Sequence, residues 1–134
     1  GIIDVLCLDD VPLVLDFKTA SSKRYLKRKH QLSTDIQLMM YAKFALENAP
    51  LSSHCDVALC YIGKRENWAQ VVQTRVSRVD VDLFFENTII AAMNEMEIAG
   101  MCEPIEIERN YDFCSAYSGC KLINYCEEVG TSNI

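Results

Sequence analysis

Two short apolar runs open the chain, separated by LDDVP. Residues 2–8 and 12–19 are rich in Val, Ile and Leu, and Asp-Asp followed by Pro suits a hairpin loop between two strands. Residues 20–32 lose the apolar pattern and form a polar, basic connection. Helical spacing then appears in STDIQLMMYAKFALENA. Ser33 or Thr34 can cap that helix, Pro50 lies just beyond its end, and Ile36, Met39, Met40 and Leu46 supply much of its buried side. Residues 56–62 and 68–76 read as a second hairpin with GKREN as its loop. A second helix is expected from about Asp80 to Ala99, with Val81, Phe84, Phe85, Ala92 and Met96 as its stripe and Gly100 as its stop. The order ββ-α-ββ-α predicts an α/β fold, a mixed sheet flanked by helices.

Three charges interrupt the apolar pattern of the first hairpin: Asp4, Asp16 and Lys18. Charges are costly to bury unless paired or bound to a metal. If the loop is Asp9–Val11, antiparallel pairing sets Asp4 opposite Asp16. Asp16 and Lys18, two apart on one strand, then share that face. Two carboxylates at one level make a hard oxygen site suited to Mg²⁺ or Mn²⁺. A neighbouring lysine can orient or deprotonate an attacking water, or offset charge in the transition state. Metal-assisted phosphodiester hydrolysis uses these parts. The spacing alone equally suits a surface ion pair on an edge hairpin.

A length of 134 residues, half of them hydrophobic, fits one domain with a real core. No apolar run is long enough for a membrane span, and no signal peptide is visible. A chain opening inside an apparent strand reads as a piece of a longer protein. The net charge of −6 argues against bulk adhesion to nucleic acid or anionic membrane. Against that trend, Lys23, Arg24, Lys27, Arg28 and Lys29 crowd into SSKRYLKRKH, behind Ser21 and Ser22. This is either a solvated loop or a segment that contacts phosphate, and it directly follows Asp16 and Lys18.

Of seven cysteines, Cys7, Cys55, Cys60 and Cys102 sit in apolar surroundings and read as core. Cys114, Cys120 and Cys126 are evenly spaced in CSAYSGCKLINYC, within an irregular tail. An odd cysteine count without a secretory signal speaks against a disulfide framework and for a reducing intracellular compartment. His30 reads as a loop histidine in the basic stretch, able to approach phosphate. Gln37 and Tyr41, four apart, share a helix face. Thr34 and Gln37 also have capping-box spacing, and Tyr41 could be ordinary packing.

GIID at 1–4, DFK at 16–18 and QLMMY at 37–41 together resemble the RecB-type branch of the PD-(D/E)XK nuclease superfamily. That branch carries a G-x-x-D strand, a D/E-x-K strand and a helix with Q-x-x-x-Y, in this order. The resemblance implies a restriction-endonuclease-like core, with Asp4 and Asp16 as metal ligands, the Phe17 carbonyl as a further ligand, and Lys18 as the catalytic lysine. It implies that Gln37 and Tyr41 touch the DNA backbone or support the site. Several RecB-type nucleases, AddB and CRISPR-associated exonucleases among them, hold a four-iron, four-sulfur cluster. Here Cys120 and Cys126 match the final C-x5-C of that pattern, but Tyr117 stands where the preceding cysteine is expected and Cys114 lies three residues earlier. Cluster, zinc or nothing all remain open for these three thiols.

The expectation is therefore a core over residues 1–110 and a cysteine-containing tail over 111–134 packed on it. The expected activity is a Mg²⁺- or Mn²⁺-dependent, exonuclease-like cleavage of DNA, single-stranded or with free ends. Its setting would be recombination, repair or phage DNA metabolism in the cytoplasm of a bacterial or phage-infected cell. A catalytically weak DNA-binding or scaffold module with a metal-binding tail is the alternative. An α/β domain unrelated to nucleic acid, with an accidental motif set, is a third.

Overall fold

The computed structural model describes residues 2–65 and 67–102. Four strands form one sheet in the order β1-β2-β3-β4: β1 Val5–Cys7, β2 Leu13–Ala20, β3 His54–Gly63 and β4 Ala69–Ser77. The outer pairs β1/β2 and β3/β4 are antiparallel hairpins, and the central pair β2/β3 is parallel. Parallel pairing demands a long crossover. It runs through a 3₁₀ turn at Lys23–Tyr25, the one-turn helix α1 Lys29–Leu32 and helix α2 Ile36–Asn48. The basic stretch expected as plain connection thus carries short helical turns, and His30 lies in α1 rather than in a loop. Helix α3 Arg78–Phe84 follows β4, then a π-helical segment Phe85–Ile90, then α4 Ala91–Met101. The mixed sheet with flanking helices is the expected architecture. Two compact units divide the chain, Gly1–Ala92 and Met93–Ile134, and the sheet lies wholly in the first.

Alternation along the strands decides which side chains meet α2. Val14 pairs with Val57, Asp16 with Leu59 and Lys18 with Tyr61, so these share one face. Val14, Val57, Leu59 and Tyr61 are buried there against Leu38, Met39, Ala42, Ala45 and Leu46 of α2. The opposite face carries Phe17, Ile62 and Val71, which are about half exposed among the described residues.

Helix α2 begins at Asp35, whose Oδ1 accepts from the Leu38 N–H at 2.9 Å, rather than at Ser33 or Thr34. Thr34 instead donates to the Gln31 carbonyl, and no Thr34–Gln37 capping box forms. Met39 and Leu46 are buried as expected, whereas Ile36 and Met40 are exposed and Leu38, Ala42 and Ala45 complete the buried stripe. The α2 C-terminus has no basic residue of its own in its last turn. Arg78 supplies that charge, with Nη2 at 2.9 Å from both Leu46 O and Ala49 O and 2.7 Å from Ser52 O.

The helix expected over residues 80–99 is interrupted by the π segment, whose wider turns shift the phase of the stripe. Val81 is buried and Phe84 and Phe85 half-buried, but Ala92 and Met96 are exposed. Gly100 does not end the helix, which runs on to Met101. Of the cysteines assigned to the core, Cys55 alone is buried, and burial pushes its thiol up to about 11. Cys7, Cys60 and Cys102 are partly exposed. Cys7 donates to Asp9 at 3.0 Å, and that bond raises its pKa. Cys114, Cys120, Cys126 and Tyr117 lie outside the described residues, as does the whole segment 111–134. No helix among the described residues is long and apolar enough to cross a membrane.

Candidate active site

Asp16 sits on the α2 face of β2 at only 4 % exposure. Its neighbour two residues along, Lys18, places Nζ 2.6 Å from Asp16 Oδ2. This short charge-assisted contact is the one partner of the buried Oδ2 among the described residues. Lys18 Nζ does donate to Gln37 Oε1 at 2.8 Å. Gln37 closes the ring from α2: its Nε2 donates to Asp16 Oδ1 at 3.0 Å and to Tyr41 Oη at 3.0 Å. Tyr41 in turn donates to the Ile2 carbonyl at 2.7 Å. Four of the residues singled out in the sequence, Asp16, Lys18, Gln37 and Tyr41, thus form one connected network between β2 and α2.

Charge in this network is held in one state. The adjoining Asp16 carboxylate raises the Lys18 pKa; partial burial opposes this but does not win. Lys18 is therefore an ammonium here, with its side chain 41 % exposed. An ammonium orients water and offsets negative charge, whereas taking a proton from water requires the neutral amine.

Asp4 meets β2 by a different route from the one expected, and its contact is with the Phe17 main chain rather than with Asp16, Lys18 or Gln37. Val5 pairs with Leu15, which continues to Asp4 at the level of Asp16, as the loop assignment requires. However, the strand expected over residues 2–8 is only Val5–Cys7. Asp4 lies just outside it, and its Oδ2 accepts from the Phe17 N–H at 2.8 Å. A side-chain carboxylate thus replaces the main-chain acceptor that an extended β1 would offer, which is why the ladder stops at Val5. In a strand a residue's N–H and C=O point to the same side. The Phe17 carbonyl is therefore directed to the edge on which Asp4 lies.

These donors fit a divalent ion of the Mg²⁺ or Mn²⁺ kind. The set is all oxygen: the Asp4 and Asp16 carboxylates and the Phe17 carbonyl. Asp16 is buried and its Oδ2 already rests against a cationic group, the Lys18 ammonium. Among the described residues no cluster of three or more His, Cys, Asp or Glu side chains forms.

The basic segment is partly committed to structure. Lys27 pairs with Asp35, and its main-chain N–H donates to Tyr61 Oη at 3.1 Å. Burial works to raise the Asp35 pKa, but the bonds from Lys27 and the Leu38 N–H hold it below the usual carboxylate range. Arg24 donates to Tyr25 Oη at 2.5 Å, and Ser22 Oγ accepts from the Arg24 N–H at 3.4 Å. Lys23, Arg24 and residues 26–29 line a groove of about 510 Å³ against Gln70, Val71 and Val72 of β4. Ser21, Arg28 and Lys29 are exposed. Of the seven positions expected here, Lys27 and Arg24 are thus engaged with side chains of the same chain, while Lys23, Arg28 and Lys29 are exposed without an ion pair among the described residues. Three partners escaped sequence reading: Asp35, Tyr61 and Arg78. Asp35 stands directly before the first buried helical residue and is a natural cap. Nothing in the sequence singles out Tyr61 or Arg78.

A solved structure described as "Crystal structure of SSO0001" is 19 % identical, with a TM-score of 0.37, over 66 % of this chain and 39 % of that one. This chain therefore spans well under half of that structure's length. No curated protein matches. A sequence model of the PD-(D/E)XK nuclease superfamily matches residues 1–127, and with that match over nearly its whole length the chain belongs to the PD-(D/E)XK nuclease superfamily.

Proposed function

We propose that this chain is the catalytic core of a divalent-metal-dependent, exonuclease-like deoxyribonuclease of the RecB type. The observation that carries the reading is the closed contact ring of Asp16, Lys18 and Gln37 on the helix-covered face of β2.

In this reading Asp4, Asp16 and the Phe17 carbonyl hold Mg²⁺ or Mn²⁺. The metal would supply Lewis-acid polarisation of the scissile phosphate and a more acidic water. Lys18, kept as an ammonium, orients the attacking water and offsets charge that develops on the phosphoryl oxygens. Gln37 fixes the Lys18 ammonium and one Asp16 oxygen simultaneously, and Tyr41 anchors Gln37 to the Ile2 carbonyl. Lys23, Arg28 and Lys29 hold the flanking phosphates. Substrates are DNA single strands or DNA with free ends, as recombination, repair or phage DNA metabolism would present.

The test is cleavage of end-labelled single- and double-stranded DNA with Mg²⁺, with Mn²⁺ and with chelator, by wild type and Asp16→Asn. Metal-dependent cleavage lost in Asp16→Asn supports the reading. Binding without cleavage under every metal condition favours the scaffold alternative. The tail cysteines Cys114, Cys120 and Cys126 carry a separate proposal, three of the ligands of an iron–sulfur cluster. Iron and sulfide analysis of protein purified without air decides it.

A further inference from the structure

The parallel pair β2/β3 ends level, with Ala20 opposite Gly63. Ligands of open sheets gather beyond the carboxyl ends of parallel strands. At this end the β3–β4 turn is spliced to β2. Lys64 N–H donates to Ala20 O at 3.0 Å, extending the pairing by one residue past the strand that bears Asp16 and Lys18. Gly63 N–H donates to Trp68 O at 2.9 Å and closes the turn. Lys23, three residues beyond β2, holds its Nζ 5.8 Å from the centre of the Trp68 ring. That distance is within cation–π range. Lys64 and Arg65 are exposed at the turn.

Two separate chain segments therefore deliver cations to one rim: Lys23 and Arg24 from the crossover, Lys64 and Arg65 from the turn. The turn also contains Glu66 in its sequence, leaving it one positive charge in excess. Past Trp68, the first residues of β4 border the groove lined by the basic segment. A cationic surface thus continues from the end of β2, across the turn, to Arg28 and Lys29. The chain as a whole is acidic, at −6, so this accumulation runs against its average.

We propose that the β3–β4 turn is a second nucleic-acid-holding element, in which Lys64 and Arg65 contact backbone phosphates flanking the scissile one while Trp68 seats Lys23 beside them. This rests on the nuclease reading above and extends its binding surface to a segment outside the basic run.

Trp68 is the single tryptophan of the chain, so intrinsic fluorescence reports this position alone. The experiment titrates a dye-labelled single-stranded oligodeoxynucleotide into this chain in chelator, at several salt concentrations. Wild type, Lys64→Ala/Arg65→Ala and the charge-conserving Lys64→Arg/Arg65→Lys are compared, each checked for an unchanged melting temperature. A fluorescence titration with unlabelled oligonucleotide runs in parallel. Two lost phosphate contacts should flatten the slope of log K against log salt by about 1.4 in the alanine variant. The charge-conserving variant should keep the wild-type slope, and Trp68 emission should change on binding. An unchanged slope in the alanine variant overturns the proposal while leaving the nuclease reading intact. Wild-type protein that binds no nucleic acid overturns both.

Discussion

Gln37 Nε2 donates to Asp16 Oδ1 across 3.0 Å, tying the second residue of α2 to the middle of β2. The same amide accepts from Lys18 through Oε1. Each end of the Gln37 side chain thus meets a partner of the right sign: the oxygen meets the ammonium, the nitrogen meets the carboxylate. Tyr41, one turn along, takes the remaining amide proton.

From this arrangement Gln37→Ala should lower the cleavage rate by about 10–100-fold, the usual effect of losing an outer-sphere partner of a metal site. Gln37→Glu keeps the size but sets a second carboxylate against Asp16, where a donor is needed. Its loss should be at least as large as that of Gln37→Ala. Steady-state kinetics on one labelled substrate checks both. A fully active Gln37→Glu would show that the contact with Asp16 is incidental.

Lys18→Ala should reduce kcat by about 10²–10⁴-fold with little loss of DNA affinity. The argument is that Lys18 is positioned by Asp16 and Gln37 rather than by the basic groove. Lys18→Arg should not restore the rate, since a planar guanidinium cannot reproduce the point charge seated between those two partners. Binding measured in chelator and turnover measured with Mg²⁺ separate the two effects. Equal losses in both would make Lys18 a binding residue.

The legible parts of this protein were those set by local pattern. The LDDVP loop fixed the first hairpin's register, so that Val5 faces Leu15 and Asp4 falls level with Asp16. Two-residue alternation put Asp16 and Lys18 together, and four-residue helical spacing put Gln37 with Tyr41. What alternation could not convey is that Asp4 leaves the ladder to take the Phe17 amide, a long-range exchange of one acceptor for another. Helix phase failed for a similar reason. On α2 an apolar residue at helical spacing does not say which side faces the sheet, so Ile36 and Met40 could not be told from Leu38 and Ala42, and the later helix depends on a π segment that has no apolar signature. Tyr61 and Arg78 act on main-chain atoms 34 and 26–32 positions away, and sequence spacing carries no trace of such bonds.

Asp35 gives the fold a pH dependence whose sign follows from its lowered pKa. A carboxyl depressed in the folded state contributes stability that is fully present above its unfolded value, about 3.9. That contribution is lost as pH falls through the folded value. Asp35→Asn keeps a capping oxygen for the Leu38 N–H but loses the Lys27 ion pair. The stability difference between wild type and Asp35→Asn should therefore be constant above about pH 5 and shrink toward zero below about pH 4. Urea unfolding across that range measures it, and a difference that grows on acidification would reverse the assignment.

Arg78 closes the far end of the helix that carries Gln37. Its Nη2 lies within 2.9 Å of Leu46 O, Ala49 O and Ser52 O, and its Nε stands 3.1 Å from Ser52 O. Main-chain carbonyls at a helix C-terminus have no partner within the helix, and a cation there also meets the negative end of the macrodipole. Arg78→Ala removes all of these bonds at once, leaving Leu46 O and Ala49 O only their main-chain donors and taking the Arg78 donors from part-buried Ser52 O. It should destabilise the fold by about 2–3 kcal/mol, since a hydrogen bond from a charged group is worth about 1.5–3 kcal/mol and shared bonds do not add fully. Arg78→Lys should recover less than half, because one ammonium cannot fork among three carbonyls. Leu46 is nine residues from Gln37, about 14 Å along the helix at 1.5 Å per residue. Cleavage per folded molecule should therefore stay near wild type in both variants below their melting temperatures. Paired unfolding curves and active-site-normalised rates test this, and a rate that falls further than the folded fraction would mean that the α2 C-terminus transmits strain to the catalytic ring.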